Sequence, residues 1–234
     1  MSSIDFHIDQ EWREVLADEG LAGLDALLAC DRGVCCSWHT RGQVYRIELA
    51  DGRTIFLKRD TFTATMLKDA FADLVRLDFP QPPCVKELAA LNAVRALGIA
   101  APKPIAWGQR RRLALPVSAV LITMPLAGTP ISKMLNGAAE EGALRQALVS
   151  AGRIAARLCE AGLSWPDLRA KHFLVDGDTV GILDLARMRR TGQSAARDMV
   201  KQTAKFLGEL RRLGGSDGDE DAFSEGLLGA NARP

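Results

Sequence analysis

The chain has 234 residues, 47% of them hydrophobic and 25% charged, with a formal net charge of +1. These values suit a soluble globular protein with a sizeable core and exclude the overall positive charge of a nucleic-acid binder. No run of about 18 apolar residues occurs, so no membrane-spanning helix is expected, and the first residues lack the basic and apolar regions of a signal peptide.

From Asp9 to Cys30, Trp12, Val15, Leu16, Leu21, Leu24, Leu27 and Leu28 recur at spacings near three and four, which predicts one or two short helices. The period then changes to two. Val44, Arg46 and Glu48 alternate with Tyr45, Ile47 and Leu49, Asp51-Gly52 makes a turn, and Arg53 to Lys58 resumes an extended pattern, so a hairpin is predicted. After Pro80, Pro82 and Pro83, a helix runs from about Cys84 to Leu97 and stops at Gly98. Ala101 to Ile105 starts an extended segment, and Val117 to Met124 is an apolar strand. Ala143 to Ala161 reads as an apolar helix ended by Gly162. Phe173–Val175 and Val180–Leu183 flank Asp176-Gly177-Asp178 as a second hairpin, and a helix follows from about Ala195 to Leu213. The Gly-, Asp- and Ser-rich stretch from Gly214 reads as a flexible tail. The five cysteines (Cys30, Cys35, Cys36, Cys84, Cys159) contain no CxxC pair and read as reduced thiols, mostly core filler. The basic clusters Arg110–Arg112, Arg187 with Arg189 and Arg190, and Arg211–Arg212 read as solvated surface.

A mostly β first half and a mostly α second half predict an α+β protein of two lobes, with the junction near Met124–Gly128. Four positions then stand in the order that phosphoryl transfer from ATP requires. Lys58 ends an apolar strand, where an ammonium needs an anion. Glu87 lies early in the next helix, where it could supply that anion. Asp167 sits in a loop between a helix and a hairpin, placed to orient a hydroxyl, with Lys171 nearby to neutralise a transferring phosphate. Asp184 ends an apolar strand, a placement suited to a metal ligand because burial of a bare carboxylate is costly. Asp184 follows Asp167 by 17 residues, and the intervening hairpin can bring the two carboxylates together.

These residues resemble the protein-kinase-like superfamily and, more narrowly, the bacterial lipopolysaccharide core kinases, which phosphorylate heptose or 3-deoxy-D-manno-octulosonic acid (Kdo) sugars. The resemblance is carried by Tyr45 to Arg59, Lys86-Glu87-Leu-Ala-Ala-Leu, Gly98 to Pro102, Leu121 to Gly128, Asp167-Leu-Arg-Ala-Lys171-His172, and Ile182-Leu-Asp184-Leu-Ala-Arg187. It spans about Arg41 to Arg190, and Asp-Leu-x-x-Lys-His is its most discriminating run. The resemblance implies a two-lobed protein-kinase-like fold with a small β-rich N-lobe (1–124, including the N-terminal helices), a mainly helical C-lobe (125–213) and a flexible tail (214–234). It implies that Lys58 contacts the ATP phosphates and pairs with Glu87, that Asp167 is the catalytic carboxylate, and that His172 and Asp184 hold Mg2+. Met124 to Leu126 would lie beside adenine, and Arg197-Asp198 would be a structural pair.

This sequence departs from the wider superfamily at three places. Trp165-Pro166 replaces His-Arg, Asp184-Leu-Ala replaces Asp-Phe-Gly, and the glycine-rich loop is reduced to Thr40-Arg-Gly42-Gln. No Ala-Pro-Glu segment follows Asp184, so a peptide-docking platform is not expected. The leading expectation is an ATP- and Mg2+-dependent kinase acting on a core sugar at the cytoplasmic face of the inner membrane, with Arg110–Arg112 in contact with anionic lipid or substrate. A kinase of proteins or other small molecules, and a silent pseudokinase serving as a binding module, are the alternatives.

Overall fold

The structure, a computed structural model, describes residues 2–39, 42–61, 81–112, 115–138 and 140–229. Thr40, Arg41 and Pro80, which figure in the expectations above, lie outside the described residues. The chain forms two compact units, Met1–Ala89 with Lys103–Pro125 and Ala90–Pro102 with Leu126–Pro234.

The first unit is built on a six-stranded antiparallel sheet. Its strands are β1 (Ser2–Ile8), β2 (Val34–His39), β3 (Gly42–Glu48), β4 (Thr54–Thr61), β5 (Pro104–Arg112) and β6 (Leu115–Thr123), in the spatial order β1-β5-β6-β4-β3-β2. The expected hairpin is β3–β4, and the Asp-Gly turn works because Gly52 takes a positive φ of 83° that a side chain would resist. Strand β1 has no counterpart in the sequence reading. Its Ser-Ile-Asp-Phe-His-Ile run alternates, but it is short and pairs only with the distant β5.

Register sorts the two faces of this sheet. Tyr45 opposes Leu57, Ile47 opposes Ile55, and Leu57 opposes Ile122, so these side chains share a face. The short helices α1 (Arg13–Asp18) and α2 (Leu24–Ala29) cover that face, burying Leu16, Leu24 and Leu27 against Ile47, Ile55, Leu57 and Ile122. Arg59 points the same way. It donates to the Leu28 carbonyl at 2.7 Å and lies 4.4 Å over the Tyr45 ring, tying the sheet to the end of α2. Lys58 opposes Val44 and Leu121 and therefore faces the other side. The N-terminal helices thus complete the core behind the lysine.

Helix α3 (Pro83–Ala96) follows, ended by Gly98 at φ 67°. The second unit carries short strands β7 (Thr129–Pro130), β8 (Leu163–Ser164), β9 (Phe173–Asp176), β10 (Thr179–Ile182) and β11 (Arg189–Arg190). β9 and β10 form the expected second hairpin, with β7 beside β9, while β8 pairs with β11. Three helices make up most of the rest: α4 (Glu141–Glu160), α5 (Ala195–Arg212) and α6 (Asp217–Gly229). Among the described residues no helix is long and apolar enough to cross a membrane.

Helix α6 corrects the expectation of a flexible tail from Gly214. Ser216 and Asp219 close a reciprocal capping box. The Ser216 N–H donates to Asp219 Oδ2 at 2.8 Å, and the Asp219 N–H donates to Ser216 Oγ at 3.3 Å. Two glycines then let α6 lie almost backbone to backbone on α4. A Cβ on Gly152 would stand 2.1 Å from the Phe223 carbonyl oxygen, and one on Gly226 would stand 1.9 Å from that of Val149. The composition that reads as loose chain is what permits the close crossing, and Phe223 is fully buried there.

The cysteines are all free thiols. Cys30 and Cys84 are core filler as expected, whereas Cys35 and Cys36 are exposed.

Candidate active site

In the first unit the chemistry gathers where β4 meets α3. Lys58 and Asp60 lie on one face of β4 because side chains alternate along a strand. The Cys84 N–H, in the first turn of α3, donates to Asp60 Oδ2 at 2.6 Å. One helical turn later Glu87 reaches Lys58, and the two form a hydrogen-bonded ion pair. Asp60 therefore caps the helix from another element and sets Glu87 over the lysine. Its side chain is buried, and that burial pushes its carboxyl above the usual carboxylate range. Gly42 serves the same contact. A Cβ there would stand 2.6 Å from Asp60 Oδ1, so glycine leaves the room the carboxylate occupies.

In the second unit a turn after β8 carries Asp167, and a helical turn at Ala170–His172 leads into β9. His172 Nδ1 lies 2.7 Å from the Asp167 backbone carbonyl oxygen. That oxygen only accepts, so Nδ1 carries the proton and a neutral ring has its lone pair on Nε2. Nε2 in turn lies 3.5 Å from Asp184 Oδ2. Asp184 is exposed rather than buried as its place after an apolar strand suggested, and with a neutral ring the pair offers two electron-pair donors side by side, an arrangement open to a cation. Asp184 has a φ of 58°, the left-handed region that non-glycine residues rarely adopt, and its carbonyl accepts from Trp165 Nε1 at 3.2 Å. Among the described residues no group of three or more His, Cys, Asp or Glu side chains is placed to hold a metal, and His172 and Asp184 are two potential donors side by side. Such a pair suits an ion that takes its remaining ligands from phosphates and water.

Helix α5 holds this loop. Gln202 sits in its otherwise apolar stripe of Ala195, Met199, Phe206 and Leu210. The Trp165 N–H donates to Gln202 Oε1 at 3.2 Å, and Gln202 Nε2 donates to Ser164 Oγ at 2.8 Å. Two turns on, Glu209 accepts from the Ala170 N–H at 3.3 Å. Asp198, on the same helix, is held below its usual carboxylate range by a hydrogen bond from Ser164, helped by Arg189 at 3.4 Å. Trp165 also stacks edge-on against Phe173, with ring centroids 5.3 Å apart, and Phe173 meets Phe206 at 5.7 Å. The loop therefore rests on an aromatic column that continues to Phe223.

The chain matches the profile of the lipopolysaccharide kinase (Kdo/WaaP) family over residues 10–226. It belongs to that family. It is a kinase that uses ATP to phosphorylate a sugar hydroxyl of the lipopolysaccharide core. Among solved structures it is similar to one described as WaaP in complex with acyl carrier protein, with a TM-score of 0.69 and 21% identity over 98% of this chain and 90% of that one. That likeness speaks to the fold, a mixture of helix and sheet. No curated protein matches it in sequence.

In this lipopolysaccharide kinase the expected residues fall into two groups. Lys58, Glu87 and Gly42 meet around Asp60 in the first unit. In the second, His172 bridges the backbone carbonyl of Asp167 and the carboxylate of Asp184. Lys171 is exposed, next to His172. Met124 closes the first unit, its N–H donating to the Lys103 carbonyl at 2.9 Å. Leu126 opens a stretch of the second unit and packs over Gly181, where a Cβ would stand 2.8 Å from Leu126 Cδ2. Asp60, Gln202 and Glu209 carry no expectation from sequence, while Trp165 enters there only as a departure from the superfamily and Arg187 as solvated surface. A glutamine inside an apolar helical stripe is a readable signal for Gln202. The others depend on pairings between distant segments.

Proposed function

We propose that the lipopolysaccharide kinase binds ATP through Lys58 in a nucleotide-binding first unit and transfers its terminal phosphoryl group from a catalytic second unit. Lys58, held by Glu87, contacts the phosphates, and Gly42 and Met124 contribute to the nucleotide site. Asp167 accepts the proton of the attacking sugar hydroxyl as the new oxygen–phosphorus bond forms, and Lys171 neutralises charge on the moving phosphoryl group. His172 Nε2 and Asp184 are the donors for Mg2+, which when bound supplies positive charge to the phosphates. The observation that carries this reading is the His172 tautomer. Nδ1 donates to the Asp167 carbonyl, and Nε2 lies 3.5 Å from Asp184 Oδ2, so a neutral ring turns its lone pair towards that carboxylate.

The test is Mg2+-dependent transfer of phosphate from ATP to purified core oligosaccharide carrying heptose and Kdo. Asp167→Ala and Asp184→Ala are each expected to lower kcat by roughly a thousandfold or more with unchanged thermal stability. Near-normal turnover by Asp184→Ala would exclude the metal assignment.

The acceptor is anchored in lipid and ATP is cytoplasmic, so the kinase works at the inner face of the inner membrane by peripheral contact. The register of β1 on β5 supports a surface for it, because Ile4, which is exposed, opposes Arg110, and Arg112 is exposed at the end of the same strand. Co-sedimentation with anionic but not neutral vesicles, weakened by Arg112→Glu, tests this contact.

A further inference from the structure

Arg187 has no role in the transfer proposed above, and its side chain is mostly exposed, at 71%. Its Nη1 lies 3.1 Å from Asp167 Oδ1. A guanidinium carries five N–H donors in a planar fork shaped for carboxylates and phosphates. Among the described residues Asp167 is its one partner, so most of that fork faces solvent. Asp167 itself is largely covered, with only 13% of its side chain exposed. The arginine therefore stands at the open side of the carboxylate that orients the acceptor hydroxyl.

A structural anchor would look different. The anchors of this loop, Trp165 and Gln202, are buried and hydrogen-bonded to the backbone around it. Arg189, close by, makes a 3.4 Å contact with Asp198, and Arg190 donates to the Ala161 carbonyl at 3.4 Å, both away from Asp167. Of these three, Arg187 is the one that contacts the Asp167 carboxylate, and the rest of its fork is open to an incoming group.

We infer that Arg187 is the specificity-determining residue for the acceptor: it binds an anionic group, a carboxylate or a phosphoryl group, carried by the acceptor sugar near the hydroxyl that is phosphorylated. This inference rests on the assignment of Asp167 to the acceptor hydroxyl. Binding the anion would share the guanidinium between acceptor and Asp167 Oδ1, leaving Oδ2 for the hydroxyl. The site then selects sugar acids and phosphorylated sugars over neutral ones.

The experiment compares wild type with Arg187→Gln on matched acceptors: a core oligosaccharide, its carboxyl-reduced derivative and its dephosphorylated derivative. Wild type is expected to prefer the acceptor with the relevant anion by about tenfold or more in kcat/KM, the usual scale of a charge-assisted contact. In Arg187→Gln that preference collapses towards one through a rise in KM for the anionic acceptor, while KM for ATP stays as it was. Whichever derivative loses the preference identifies the anion as carboxylate or phosphoryl. A fall in kcat shared equally by all acceptors would make Arg187 a support for Asp167 only and overturn the proposal. A rise in KM for ATP instead would assign the guanidinium to the nucleotide and overturn it as well. Calorimetric binding of the unmodified oligosaccharide separates the two readings. Arg187-dependent binding without turnover would keep the anion site and remove the role of Asp167. Binding that ignores Arg187 would remove the anion site.

Discussion

The ring of His172 donates through Nδ1 to the backbone carbonyl of Asp167 at 2.7 Å, so one side chain ties down the loop that carries Asp167 and turns its other nitrogen to Asp184. His172→Leu removes both functions. The carbonyl loses its donor, a cost of about 1–3 kcal/mol, and the half-saturating Mg2+ concentration is expected to rise about tenfold. His172→Asn keeps an oxygen for the ion and is expected to recover most of the Mg2+ response. A Mg2+ titration of the two variants reads this directly, and an unchanged curve for the leucine variant would exclude His172 as a ligand.

Much of this was legible in the chain. Alternation at Tyr45 to Leu49 and the Asp51-Gly52 turn specify a hairpin whose faces come out as expected, with Ile47 and Ile55 inward. Helical stripes before Gly98 and Gly162 stop where the glycines take positive φ. The pairing of Lys58 with Glu87 was also anticipated, since a lysine at the end of an apolar strand needs an anion. What stayed hidden depends on long-range contact. Asp60 reads as an ordinary strand-end acid until α3 is laid against it. Trp165 reads as a departure from the family pattern until its indole is seen on the Asp184 carbonyl. Helix α6 is masked by composition, because its two decisive residues, Ser216 and Gly226, are also common in loose chain.

Lys58 and Glu87 act as a unit, and their variants should not add. Lys58→Ala is expected to lower kcat/KM for ATP by two orders of magnitude or more, and Glu87→Gln by less, because the lysine stays but loses its guide. The double variant is expected to match Lys58→Ala alone. Losses that multiply in the double variant would show that Glu87 acts elsewhere.

Asp60 gives stability an acid-side signature. Burial raises its carboxyl above the unfolded value of 3.8, so between that value and the raised one the folded chain holds more protons than the unfolded chain. Stability from this group therefore falls as pH rises through that window, and above it the ionised, buried carboxylate is a net cost. Asp60→Asn lacks this dependence. Wild type is expected to gain stability relative to the variant on going from about pH 7 to about pH 4, measured by denaturant unfolding. A difference that stays constant with pH would contradict the burial argument.

The crossing of α4 and α6 predicts an intolerance that runs opposite to helix propensity. Gly152→Ala and Gly226→Ala replace the poorer helix former with the better, yet each puts a methyl group within 2.1 Å of a backbone carbonyl oxygen. Each is expected to destabilise the kinase by at least about 1–3 kcal/mol, seen as a lower Tm. Gly229→Ala, where a Cβ meets nothing within 4 Å, is the control and is expected to be neutral or slightly stabilising.

Trp165 has a use beyond holding the loop. Of the four tryptophans, Trp12, Trp38 and Trp107 belong to the first unit, and Trp165 alone to the second. It is fully buried, hydrogen-bonded to the Asp184 carbonyl, with its ring 6.3 Å from that of His172. With the other three replaced by phenylalanine, all indole emission would come from a single ring beside both candidate ligands. Its wavelength would report unfolding of the second unit by itself. Its intensity would respond to charge arriving between His172 and Asp184, so the same ring would test ion binding there with no label and no acceptor.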